Sequence, residues 1–124
     1  MSQVAGISST STPQTEGIDL EAMTLQEAIV NGKPTLVDFG GRNCAPCQQM
    51  EIILTDIAIK YEGKLNVLIV QAAENPELSQ LFKITTIPTQ YFLDESGSPI
   101  GMHVGVLYGE AIEAQLQNMG LEPN

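Results

Sequence analysis

Two rhythms of apolar positions run along this chain. Thr35-Leu36-Val37-Asp38-Phe39 is short, apolar and β-prone, bounded by Pro34 and Gly40-Gly41, and predicts a buried strand. Met50, Ile53, Leu54, Ile57, Ala58 and Tyr61 fall at helical spacing, so a helix running to about Tyr61 carries one apolar face. Leu65 to Gln71 is an apolar run of the kind found in strands covered on both faces. Asn75-Pro76 offers an N-cap with proline at the first helical position, and Leu78, Leu81 and Phe82 then form the expected buried stripe. Thr89 to Leu93 and Pro99 to Val104 read as strands, and the loop Asp94-Glu95-Ser96-Gly97-Ser98 makes them an antiparallel hairpin. A last helix, about Gly109 to Met119, places Ile112, Leu116 and Met119 on one face and stops at Gly120.

Nearer the start, Thr24 and Glu27 have capping-box spacing, in which each side chain satisfies the other's free backbone amide. They predict a short helix from Leu25 to Val30, ended by Asn31-Gly32. The order is helix, strand, helix, strand, helix, strand, strand, helix. Alternation followed by a hairpin predicts an α/β fold: a mixed central sheet of four to five strands with helices on both faces. The fifth strand is a short candidate at Ile18 to Leu20. Residues 1–17, rich in Ser, Thr and Gly without an apolar period, read as a disordered tail or tether, leaving 18–124 as the folded domain.

Composition narrows the function classes. The chain has 124 residues, enough for one domain with a single core, and 43% of them are apolar. A net charge of −10 argues against nucleic-acid partners and anionic membrane surfaces, both of which call for Lys and Arg. No apolar run reaches membrane-spanning length and no signal-peptide pattern opens the chain. The dispersed acidic residues read as a solvated surface, the scattered Met residues as core filler, and His103 as a solvent-facing strand histidine.

The chemistry concentrates at the two cysteines. Too few for a disulfide framework, Cys44 and Cys47 are separated by two residues and are either a redox pair or half a metal site. They stand where a strand hands over to a helix. Free amides at a helix N-terminus favour an anion, so Cys44 can ionise below the free-thiol value of about 8.5. Arg42 adds positive charge if its side chain turns inward. The spacing lets the second sulfur reach back to the first, so a mixed disulfide on Cys44 can be resolved by Cys47. Pro46, lacking an amide hydrogen, suits the first helical turn. Asp38, an acid inside a buried strand, asks for a reason.

Val37-Asp38-Phe39 ahead of Cys44-Ala45-Pro46-Cys47, with Ile87-Pro88-Thr89 opening a later strand and Val104-Gly105 leading into the last helix, resembles the thioredoxin superfamily from about Leu20 to Leu121. The resemblance implies the thioredoxin fold and thiol-disulfide exchange without cofactor or metal. It casts Cys44 as attacking thiolate, Cys47 as resolving thiol, and Asp38 as the buried carboxylate that takes the Cys47 proton. Pro88 takes the place of the cis-proline facing the disulfide, and the Ile87 backbone that of an edge pairing with extended substrate. Arg42 and Asn43 fall on the substrate-facing loop.

Departures from the family also inform. Gly40 and Asn43 replace two flanking tryptophans, and the chain contains no Trp. Without that aromatic rim the partner range should be narrower. Ala45 stands where glycine is usual, and Ile69 near where the family places a lysine beside the buried acid. The Ala-Pro dipeptide and the isoleucine before the proline resemble those of reducing family members, and that resemblance implies a reductase of protein disulfides. The expected partners are disulfide-bearing proteins and an electron donor, either thioredoxin reductase or a membrane thiol conduit, with the chain acting as a monomer. The Ser/Thr-rich tail favours an extracytoplasmic, tethered setting over a cytoplasmic one. Two other classes stand beside this: a CxxC metal-binding module, and a thioredoxin-fold protein that works by binding alone.

Overall fold

The computed structural model describes residues 18–124. The tail expected over residues 1–17 lies outside the described residues. Helices α1 (Leu25–Ile29), α2 (Ala45–Lys60), α3 (Pro76–Leu81) and α4 (Gly109–Asn118) alternate with strands β1 (Thr35–Gly40), β2 (Asn66–Gln71), β3 (Thr89–Leu93) and β4 (Pro99–Val104) in the expected order.

The capping box starts α1: Thr24 Oγ1 accepts from the Glu27 amide at 3.1 Å, and Glu27 Oε1 accepts from the Thr24 amide at 3.0 Å. Just past its end Gly32 takes φ +84°, a conformation that side-chain-bearing residues rarely adopt. Among the described residues the strands form one sheet of four, in the order β2-β1-β3-β4. β1 and β2 are parallel, while β3 pairs antiparallel with β1 and β4.

Period-two alternation assigns each strand residue a side. Leu36, Ile69 and Phe92 join Met50, Leu54, Ile57, Ile112 and Leu116 in a core under α2 and α4. Val37, Phe39, Leu68, Val70 and Leu93 join Leu25 and Ala28 on the opposite face. Full burial of each Val, Leu, Ile, Phe or Met among them contributes ~1.5–3 kcal/mol. Asp38 falls on the α2 side by the same alternation.

Two expectations need correction. Ile18 to Leu20 forms no strand: among the described residues one ladder-like bond runs there, from the Ile69 amide to the Leu20 carbonyl at 2.7 Å, and one bond does not make a ladder. Leu81, expected in the buried stripe of α3, is 73% exposed. The helix is a single short stretch, and the pair four residues apart, Leu78 and Phe82, takes the sheet-facing side. The Phe82 ring packs 5.2 Å from Phe39 and 4.9 Å from Tyr91, centroid to centroid, which fixes the buried side of the helix at Phe82.

Candidate active site

The strand-to-helix junction forms as the sequence predicts. β1 ends at Gly40, and Cys44 is the N-cap of α2 in extended conformation, φ −145°. Cys44 and Cys47 are joined by a disulfide. Cys44 Sγ also accepts the Cys47 amide at 3.2 Å, so a free amide of the first helical turn already points at this sulfur. Cys47 is only 5% exposed, whereas Cys44 is half-buried. In the reduced protein, Cys44 should therefore react with a limiting alkylating agent about tenfold or more faster than Cys47 at neutral pH. Mass spectrometry of partly labelled protein checks this, and equal labelling would contradict it.

The Ile87–Pro88 bond is cis, and Pro88 is buried. Its carbonyl accepts the Gly105 amide at 2.7 Å, which ties the start of β3 to the turn after β4. Ile87 lies against the active-site loop. A Cβ built on Gly41 would come within 2.6 Å of Ile87 Cδ1 and 3.8 Å of Cys44 Cβ, so glycine lets the isoleucine lie close to the cysteine. The distant Ile87-Pro88 segment and the cysteine loop thus form one surface.

Arg42 does not turn inward. Its guanidinium binds Glu74 through Nε (2.7 Å) and Nη2 (3.1 Å), and Glu21 through Nη2 (3.0 Å) and Nη1 (3.3 Å). Two carboxylates offset its charge, and the arginine holds Glu74 below the usual carboxylate range. Asn43 is exposed directly before Cys44. His103, read as solvent-facing, is half-buried, with Nε2 3.3 Å from the Val106 carbonyl. Among the described residues no three His, Cys, Asp or Glu side chains gather as a metal-binding group.

Asp38 is 1% exposed. Its register partners are Ile69 on β2 and Gln90 on β3, so the position noted for its apolar residue does lie beside the acid. Oδ1 accepts from Gln90 Nε2 at 2.9 Å, while Oδ2 is buried with no partner among the described residues. Burial pushes the carboxyl up to about 6, with the Gln90 hydrogen bond pulling the other way. A Cβ placed on Gly40 would sit 3.4 Å from Asp38 Oδ2 and 3.9 Å from Cys47 Sγ, so only a slot the width of a missing side chain separates acid and sulfur. A cleft of about 200 Å³ opens here, reaching Asp38 and Cys47 between Arg42, Gln48 and Glu51.

Gln90 and this cleft escape the linear sequence. A polar residue inside Thr89-Gln90-Tyr91-Phe92-Leu93 is the one available signal, and it gains meaning only once the register sets it opposite Asp38.

The thioredoxin family pattern matches residues 17–118. A thioredoxin of Alicyclobacillus acidocaldarius is 37% identical over 94 residues, covering 76% of this chain and 89% of that protein. A bifunctional thioredoxin reductase/thioredoxin of Mycobacterium leprae is 32% identical over 85 residues, covering 68% of this chain and 18% of that longer protein. The crystal structure of chloroplastic thioredoxin z superposes with a TM-score of 0.74 at 26% identity, covering 83% of this chain and 96% of that one.

Proposed function

The chain belongs to the thioredoxin family and is a thiol-disulfide oxidoreductase, and we propose that it works as a reductase of protein disulfides through Cys44 and Cys47. One observation carries the division of labour: the two sulfurs differ in access, with Cys44 at the helix terminus and half-buried and Cys47 at 5% exposure beside Asp38.

In the reduced protein the Cys44 thiolate attacks one sulfur of a substrate disulfide. A mixed disulfide forms, and the other substrate sulfur leaves as thiolate to take a proton. Cys47 then gives its proton to Asp38 Oδ2, and its sulfur attacks Cys44. The Cys44–Cys47 bond forms as the mixed disulfide breaks. The second substrate sulfur leaves as thiolate and takes a proton from solvent. The substrate has thus gained two electrons from the cysteine pair and two protons, matched by the one Cys44 released on ionising and the one Cys47 passed to Asp38. Asp38 suits the acceptor role because a carboxyl near 6 is charged at neutral pH yet only weakly held there.

The Ile87–Pro88 segment beside Cys44 is where an extended substrate chain would pair, with Arg42 and Asn43 at its border. Glycine and asparagine in place of an aromatic rim support a narrower set of partners. A thioredoxin reductase as electron donor is supported by the M. leprae relative, whose name joins the two activities in one chain. A membrane thiol conduit is the other donor of the same chemistry. The same reading has a monomer in an extracytoplasmic setting, the latter on the Ser- and Thr-rich composition of residues 1–17.

A redox titration tests the direction. The expected midpoint is that of reducing thioredoxins in general, about −270 mV, against about −120 mV for DsbA-type oxidants. A midpoint above about −150 mV would make the protein an oxidant.

A further inference from the structure

One row of side chains crosses all four strands on the α2 face: Ile69, Asp38, Gln90, His103. Gln90 is the fully buried amide of that row, at 0% exposure. A buried amide costs stability unless its hydrogen bonds are made, and an apolar side chain of similar size would fill the space without that cost. Its Nε2 donates to Asp38 Oδ1 at 2.9 Å and to the Gly105 carbonyl at 3.0 Å, while its Oε1 is buried with no partner among the described residues. A backbone carbonyl only accepts, so the end of the amide facing Gly105 is its NH2 group, and the same group addresses Asp38. Gly105 in turn donates its amide to Pro88 O at 2.7 Å. A chain of hydrogen bonds therefore links the buried acid to the Ile87–Pro88 segment beside the cysteine loop.

We propose that Gln90 is the positioning residue of Asp38, pinning Oδ1 so that Oδ2 is the oxygen turned toward Cys47. This rests on the role given to Asp38 above. Oδ1 is occupied, Oδ2 is unpartnered, and Oδ2 lies on the Gly40 side, where the slot to Cys47 Sγ opens. A donor to Oδ1 also favours the charged form in a place where burial opposes it.

The other groups around Asp38 do not substitute for this donor. β2 presents apolar Ile69. Cys47 faces it from α2, while Glu21, Arg42 and Glu51 line the cleft beyond, Arg42 with its guanidinium on Glu21 and Glu74. His103 lies one strand past Gln90, with its ring on Val106 O. Among the described residues Gln90 alone donates a hydrogen bond to this carboxylate.

NMR titration of the isotopically labelled protein tests the assignment, with the Asp38 carboxyl carbon and the Gln90 side-chain amide as reporters. In the unaltered protein the Gln90 amide signals should move with the Asp38 midpoint, and that movement should vanish in Asp38→Asn. Gln90→Leu should raise the Asp38 midpoint by about one pH unit, as expected when a hydrogen bond to the charged form is lost. The pH profile of mixed-disulfide resolution should move alkaline by the same amount, with attack by Cys44 unchanged. Gln90→Glu should raise the midpoint further, since two carboxyls cannot both ionise at that distance. An Asp38 midpoint in Gln90→Leu within about 0.2 units of the parent would overturn the proposal. So would Gln90 signals blind to Asp38 in the unaltered protein, a reading that needs no variant to fold. If Asp38→Asn leaves resolution unchanged while Gln90→Leu still moves the Asp38 midpoint, the proton-transfer role of Asp38 fails and Gln90's hold on the carboxylate stands.

Discussion

Cys44→Ser should reduce a disulfide-bearing test protein no faster than the chemical reductant alone. Serine keeps the shape and the N-cap acceptor, so α2 should still start where it does. What disappears is the sulfur that forms the first covalent bond, and a neutral hydroxyl is not a substitute nucleophile at pH 7. Cys47→Ser should behave differently. Attack by Cys44 should persist, while the mixed disulfide, deprived of the buried resolving thiol, should accumulate. Gel electrophoresis without reductant would show the adduct, and mass spectrometry would identify the trapped partner. A Cys44→Ser protein retaining more than about a tenth of parental turnover would overturn the assignment of the nucleophile.

Asp38→Asn should produce two effects of opposite sign. Without the proton acceptor, resolution by Cys47 should slow by about a hundredfold near pH 7, the lower range for general-base catalysis. Its rate should then follow the ionisation of the thiol itself, converging on the parent at high pH. Attack by Cys44 should hardly change, and rapid-mixing kinetics can follow the two steps separately. Stability should move the other way. The carboxyl sits at about 6 in the native state and 3.8 ordinarily, so over that interval the folded protein holds a proton the unfolded chain has released. Parental stability therefore falls as pH rises from about 4 through about 6, and the cost is fully present above that window. At about 1.4 kcal/mol per pH unit, Asp38→Asn should gain roughly 2–3 kcal/mol more at pH 8 than at pH 4. Urea unfolding at both values measures this, with pH-independent effects of the amide cancelling in the difference. Equal gains at the two pH values, with an unaltered resolution rate, would make Asp38 purely structural.

Local patterns carried much of the fold. Apolar rhythm located all four strands of the sheet, and the capping pair Thr24–Glu27 and the glycines at 32 and 120 marked helix ends. These signals lie within a few residues of the feature they predict. Leu81 was misplaced because spacing along a one-and-a-half-turn helix leaves the buried side undecided between residues three and four apart, and the aromatic packing of Phe82 decided it. Arg42 illustrates another limit: its direction depends on Glu21 and Glu74, which are far away in the chain and become neighbours only through folding. Gln90 was invisible for the same reason. A lone glutamine in a strand means little until antiparallel pairing sets it opposite an acid.

The cleft beside Asp38 has one further consequence. Its walls include Arg42, Gln48 and Glu51, but not Cys44, Ile87 or Pro88. A partner chain held across Cys44 and the Ile87–Pro88 edge would cover the sulfurs and leave this flank open to water. Electrons and protons would then travel by different doors, the electrons through the docked face and the protons through a rear entrance to Oδ2. On that arrangement Asp38 would pass its proton to solvent through the cleft while the partner is still docked. Partners that contact only Cys44 and the Ile87–Pro88 edge should then be released with one common pH dependence.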